Sequence, residues 1–265
     1  MRTIELSSGV MHYDIQGTGD ALLLIPGFAS GAWSWSWQTP ELARSFTVIT
    51  FDPLGIGGST INEGATVSIY AIADNIESLM EAFEIDSAHV LGISFGGFVG
   101  QEFAVRYPHR VRRLVLASTS FGGPDHVAPA MPVLAAFAST DGLNTAERIR
   151  KYMRVAFTPE FVEAHGETVD RFCRLREESF VPREVYIQQL QAALSFDMQD
   201  KVSAIEAETL VVTGENDVVV PAENSRNLAA ALPNAQLATI SGTGHMAFVE
   251  KADEFNRIVT EFLKH

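Results

Sequence analysis

The sequence predicts an α/β domain, a mostly parallel sheet flanked by helices and interrupted by an all-helical insertion. Three observations predict it. Short β-branched runs recur with helical patterns between them, two strictly alternating segments precede them, and the strand rhythm stops between about Phe121 and Phe196. TIEL (3–6) and VMHYDIQG (10–17) alternate apolar with polar residues, as an antiparallel edge hairpin with one wet face does. Six runs then read as parallel strands: ALLLIP (21–26), FTVITF (46–51), HVLGIS (89–94), RLVLAS (113–118), TLVVTG (209–214) and AQLATI (235–240). With the hairpin they make an eight-stranded sheet.

Helical patterns run from Val67 to Phe83, Phe95 to Tyr107, Ala222 to Leu232 and Ala247 to Leu263. The last carries Phe248, Phe255, Ile258, Val259 and Phe262 on one stripe. Between the fourth and fifth parallel strands no strand pattern appears and at least three helical segments do. Thr158-Pro159-Glu160 starts one, with a capping hydroxyl followed by proline at the first helical position. Pro182 opens another. Gly122-Gly123-Pro124, at the entry, marks a tight turn or hinge. The expected organisation is a core of residues 1–120 and 197–265 with a helical cap, or lid, at 121–196, folding as one unit.

A chain of 265 residues that is 46% hydrophobic fills one large core. The longest apolar stretches fall well short of the ~20 residues that span a bilayer, and MRTIELSS at the N-terminus is no signal segment. No membrane partner and a cytoplasmic location are therefore expected. Cys173 is the one cysteine, so no intramolecular disulfide forms, and a small half-buried side chain is its expected role. Thirty-three acidic against nineteen basic residues give a formal charge of −14, which repels polyphosphate and excludes nucleic acid as a partner.

Glycine weakens a strand or helix, so four of them around one serine in HVLGISFGGFVGQ (89–101) need a geometric reason. Gly92-Ile93-Ser94-Phe95-Gly96 follows a strand and opens a helix, the context of a nucleophile elbow. The missing G-x-x-x-x-G-K-[ST] lysine disfavours a phosphate loop, and the glycine spacing is wrong for a dinucleotide turn. A hydroxyl is a weak nucleophile at neutral pH and needs a base. Of seven histidines, His245 lies in SGTGH (241–245), directly after the last strand and before the last helix, where loops at strand carboxyl ends line a functional crevice. His12, His89, His109, His165 and His265 have structural or solvated places, and His126 is a candidate pocket residue. An imidazole base needs a carboxylate to fix its tautomer. Asp217, in Gly214-Glu215-Asn216-Asp217 after the TLVVTG strand, is the candidate, with Glu215 its nearest competitor.

With Ser94, Asp217 and His245 in that chain order, the sequence resembles the α/β-hydrolase fold superfamily over essentially its whole length. The resemblance extends to Asp52-Pro53-Leu54-Gly55-Ile56-Gly57-Gly58-Ser59, similar to the family's D-x-x-G-x-G-x-S loop. It implies an oxyanion hole made by the backbone N–H groups of Phe28 and Phe95. Pro26-Gly27-Phe28 stands where the family usually has His-Gly-x, and Glu208 where many relatives have proline. Gly96-Gly97-Phe98-Val99-Gly100-Gln101 and the compact helical cap are most similar to enol-lactonase and carboxylesterase-like members.

The expected activity is a serine hydrolase of an ester or lactone, EC 3.1.1 in type, acting on a small, largely apolar molecule without metal or organic cofactor. Carbon–carbon bond hydrolases of ring-cleavage products share the pattern and are the enzymatic alternative. A ligand receptor that retains the triad is the non-enzymatic one. Serine at 94 disfavours haloalkane dehalogenases and epoxide hydrolases, whose nucleophile is aspartate. Gly27, Trp33, Trp35, His126, Met131, Phe137, Met153 and Met246 are the expected pocket residues, and the apolar ones favour an uncharged substrate body. The assembly is expected to be a monomer or a homodimer.

Overall fold

The structure, a computed structural model, describes residues 2–138 and 145–265, with the side chains of all of these except residues 136–138 and 145. Eight strands form one sheet: β1 (Arg2–Leu6), β2 (Gly9–Gln16), β3 (Ala21–Ile25), β4 (Thr47–Phe51), β5 (Ala88–Ile93), β6 (Val111–Ala117), β7 (Glu208–Gly214) and β8 (Ala235–Ile240). Their spatial order is β1-β2-β4-β3-β5-β6-β7-β8. The β1-β2 and β2-β4 pairs are antiparallel and the rest parallel. The alternating segments are thus the antiparallel edge, and β1 leaves alternate residues in water. Every residue of β5 is buried, as a central parallel strand covered on both faces must be.

The two-residue period of the strands divides the core into two layers. Leu23, Ile25, Val90, Leu114, Leu116 and Val211 face one side, where α2 (Ile69–Ala82), α3 (Phe95–Arg106) and α9 (Ala222–Ala231) contribute Ile76, Phe103 and Leu228. Leu22, Leu24, Leu91, Val115, Leu210 and Val212 face the other, against α1 (Thr39–Leu42), α10 (Ala247–Glu250) and α11 (Ala252–Lys264). Where one C-terminal helix was expected, Lys251 at φ −131° and ψ 59° breaks it into α10 and α11. Glu208, in the place of the usual proline, pairs with Arg113 of the neighbouring strand at 2.7 Å.

Between β6 and β7 the described residues form five helices: α4 (Met131–Ala138), α5 (Thr145–Ala156), α6 (Pro159–Ala164), α7 (Gly166–Glu178) and α8 (Arg183–Leu194). Thr158 caps α6, its hydroxyl accepting the Phe161 N–H. At the neck of this segment Gly122 and Asp197 form an isolated antiparallel bridge, flanked by Met198 N–H to Phe121 O at 2.8 Å. The chain therefore leaves and re-enters the sheet layer at one point. No helix among the described residues is long and apolar enough to cross a membrane.

Candidate active site

Ser94 sits between β5 and α3 with φ 52° and ψ −117°, a conformation that residues with a side chain adopt only under strain. The strain is held by close approach of the backbone on both sides. A Cβ on Gly92 would lie 2.2 Å from the Gly96 carbonyl oxygen, and one on Gly96 would lie 2.2 Å from that of Ile25. Strand and helix cross where no side chain fits, which accounts for the glycines. The elbow is then fixed by its main chain: Ser94 N–H donates to Ala117 O (2.8 Å), while Ser94 O accepts from Gly97 N–H (2.8 Å) and the Thr119 hydroxyl (2.9 Å). Ser94 also precedes the first turn of a 12-residue helix, whose free N–H groups make a positive end.

Asp217 and His245 meet at the same carboxyl edge of the sheet, from the loops after β7 and β8. Asp217 Oδ2 and His245 Nδ1 are 2.8 Å apart, and both residues are buried. The other carboxylate oxygen accepts the N–H groups of Val219 and Val220, each at 2.9 Å, so the carboxylate cannot swing away. A carboxylate in this position only accepts, which places the imidazole proton on Nδ1 and leaves the Nε2 lone pair as base. Glu215, the competing acid, is used differently: its Oε2 accepts the Gly242 N–H at 3.0 Å and ties the two loops together.

The turn after β3 brings Phe28 beside the elbow. It is closed by Ser30 N–H donating to Gly27 O at 3.2 Å, and a Cβ on Gly27 would stand 3.8 Å from Ser94 Cβ. The rings of Phe28 and Phe95 meet edge to face at 6.3 Å. Among the described residues neither the Phe28 nor the Phe95 N–H finds a protein acceptor, whereas those of Ala29 and Ser94 do. Two free main-chain donors next to a strained serine are an arrangement that can receive a developing oxyanion.

The expected pocket residues separate into several groups. Trp35 is a correction: it is fully buried in the core against Phe248, because a large ring next to the sheet gains more from packing than from lining a cleft. Trp33 stacks edge to face on Phe172 at 5.0 Å and, with Asp52 and Phe180, lines a cleft of about 560 Å³ that none of Ser94, Asp217 and His245 reaches. Met131 is a second correction, 74% exposed at the start of α4. Phe137 lies outside the residues whose side chains are described. Met153 packs against the core layer that holds Phe157 and Phe172. Met246, beside His245, is buried, with its N–H on Ala156 O. His126 is half-buried with Nδ1 3.1 Å from Ser120 Oγ, and burial lowers its pKa. Phe180 is 70% exposed.

Several polar residues hold these loops, among them Asp52 of the D-x-x-G-x-G-x-S match. Asp52 accepts the N–H groups of Ala32 and Gly58 at 2.9 and 3.1 Å. Glu250 accepts Gly244 N–H at 2.9 Å and the Thr158 hydroxyl at 2.6 Å, linking the histidine loop to the inserted helices. Gln189 of α8 accepts Ala29 N–H at 2.8 Å. No pattern announces Glu250 or Gln189, because their partners lie up to 160 residues away. No cluster of three or more histidine, cysteine, aspartate or glutamate residues suited to a metal ion occurs among the described residues.

The sequence profile of the alpha/beta hydrolase fold family matches residues 20–252. Among characterised proteins, the 2-hydroxy-6-oxo-6-phenylhexa-2,4-dienoate hydrolase of Comamonas testosteroni is 29% identical, across 98% of this chain and 93% of that protein. A putative carbamate hydrolase, RutD, of Stutzerimonas stutzeri is 27% identical across 96% of each chain. Among solved structures, the enol-lactonase of Burkholderia xenovorans LB400 superimposes over 100% of both chains with a TM-score of 0.85 at 22% identity, a likeness of fold.

Proposed function

Because the chain belongs to the alpha/beta hydrolase fold family, we propose that it is a serine hydrolase that cleaves a carboxylic ester or lactone of a small, largely apolar molecule through Ser94, His245 and Asp217. The observation that carries this reading is the strained Ser94 at the carboxyl edge where His245 is already held by Asp217 at 2.8 Å. Ser94 Oγ attacks the carbonyl carbon and its proton passes to His245 Nε2. The carbonyl oxygen, now an anion, takes hydrogen bonds from the Phe28 and Phe95 N–H groups and faces the positive end of α3. Collapse breaks the bond to the leaving oxygen, which collects the proton from His245. Water, deprotonated by the same imidazole, attacks the acyl-serine and releases the acid.

A second reading has its own support in the full-length similarity to the Comamonas hydrolase. The same three residues would then hydrolyse a carbon–carbon bond beside a ketone in a ring-cleavage product. The enclosing helices α4–α8 act as a lid in either reading. The test is a panel of p-nitrophenyl esters of increasing chain length, lactones and an oxo-dienoate, compared by kcat/KM. An ester or lactone preferred over the oxo-dienoate supports the first reading, and the reverse order supports the second. Ser94→Ala is expected to lose about 10⁶ in kcat on whichever substrate is best, and retention of most activity by a folded Ser94→Ala contradicts both.

A further inference from the structure

The turn that presents Phe28 is itself strained. Ala29 occupies its third position at φ 50°, fully buried, where glycine is the residue that fits without cost. Left alone, an alanine there relaxes toward a negative φ and turns the Phe28–Ala29 peptide over. Two bonds oppose this. Ser30 Oγ donates to Phe28 O at 3.2 Å, and Ala29 N–H donates to Gln189 Oε1 at 2.8 Å. Gln189 is 1% exposed and comes from inserted helix α8, one turn after Tyr186, whose ring meets that of Phe28 edge to face at 4.8 Å. The turn that carries one oxyanion donor is therefore held in part by the insertion.

We propose that Gln189 is a positioning residue for the oxyanion hole: its amide oxygen holds Ala29 in the left-handed conformation and thereby aims the Phe28 N–H at the reacting oxygen. This rests on the serine-hydrolase reading above. The inserted helices are then part of the catalytic geometry, and displacement of α8 disarms the hole as well as uncovering it. The neighbouring residue supplies an internal control. Gln188 Oε1 accepts Val67 N–H at 2.7 Å, a bond of the same kind from the same helix to a segment that carries no oxyanion donor.

The experiment compares Gln189→Met with Gln188→Met on the best ester, together with inhibition by a trifluoromethyl ketone, whose serine adduct places an oxyanion in the hole. Removing one oxyanion donor outright costs about 10²–10³ in kcat, so mis-aiming one is expected to cost about 10–100-fold. Gln189→Met should lose that factor in kcat with KM within about threefold, and should weaken the ketone by the same factor. Gln188→Met should change both by less than about threefold while losing similar thermal stability. Adding Ala29→Gly to Gln189→Met should recover most of the kcat, since glycine takes φ 50° unaided. If Gln189→Met does not fold, Gln189→Asn against Gln188→Asn decides, because the shorter amide falls short of Ala29.

Equal kcat and ketone affinity in the two variants would overturn the role of Gln189. Fluorophosphonate labelling of the wild type at Ser94 separates this failure from that of the hydrolase reading. Labelling with equal variants rejects Gln189 alone, and no labelling at Ser94 rejects both.

Discussion

The sheet and the inserted helices combine apolar burial and directed bonds in different proportions, although Phe157, Val169, Phe172, Cys173 and Val185 of the insertion are buried in the same two core layers. Leu22, Leu23, Leu24, Val90 and Leu91 are all completely buried, and β3 and β5 exchange their hydrogen bonds in an unbroken parallel register. Apolar burial of this kind is non-directional and large. Helices α4–α8 instead leave Met131, Leu134, Ile187, Leu190 and Leu194 exposed, and several directed contacts fasten them to the edge that carries Ser94 and His245. Gln189 holds Ala29, Phe180 O accepts Gly57 N–H at 2.8 Å, and Thr158 meets Glu250. The difference teaches where stability and function reside. The sheet supplies the first, and the polar seam between sheet and insertion arranges the second.

After Ser94→Ala, the largest expected effect lies at the carboxyl edge of the sheet and leaves stability nearly untouched. Asp217→Asn should lower kcat by about 10⁴, because the amide favours the wrong imidazole tautomer, with little change in melting temperature. Glu215→Gln, which keeps an acceptor for Gly242 N–H, should stay within about tenfold of wild type by steady-state kinetics. If the two variants exchange these outcomes, the acid has been assigned to the wrong residue.

The comparison itself is sharpened by two leucines. Leu91→Ala, in the middle of β5, should destabilise by about 2–5 kcal/mol in urea unfolding. Leu194→Ala, 79% exposed at the end of α8, should stay within about 0.5 kcal/mol. Equal losses would mean that the insertion is as tightly packed as the sheet.

A smaller effect of opposite sign is expected at the elbow. The φ of 52° at Ser94 costs about 1–3 kcal/mol, while glycine loses about 0.5–1 kcal/mol in backbone entropy. Ser94→Gly should therefore be inactive and more stable, by about 1 kcal/mol in denaturant unfolding. A destabilised Ser94→Gly would mean that the elbow holds no strain.

A further effect concerns the buried histidine of β5. His89 is buried in β5 with neither ring nitrogen hydrogen-bonded. Burial, with lesser help from the Arg112 charge, lowers its pKa from 6.5 to about 4. As pH falls through 6.5 the unfolded chain takes up a proton that the folded chain refuses until about pH 4. Stability drops across that window, by at most about 1.4 kcal/mol per pH unit. His89→Leu should flatten the fall in melting temperature between pH 7 and 5. An unchanged slope would place the acid sensitivity elsewhere.

How much of this was readable in the sequence follows the same division. Strand boundaries fall within two residues of the expected ones, because alternation and β-branched runs state burial directly. Ser94, Asp217 and His245 stand out because each occupies a loop after a strand. Ala29, Gln189 and Glu250 do not, since their roles depend on contacts across the fold and not on local pattern. Trp35 and Met131 show the same limit from the other side: an aromatic or a methionine near a site looks alike whether it packs in the core, lines a pocket or faces water.

The measurement that bears most directly on the account is intact-mass and peptide analysis after exposure to a fluorophosphonate. The account expects one adduct, on Ser94, formed rapidly in the wild type, far more slowly in Asp217→Asn and not at all in Ser94→Ala. An unmodified wild-type protein, or an adduct on another serine that survives in Ser94→Ala, would contradict it.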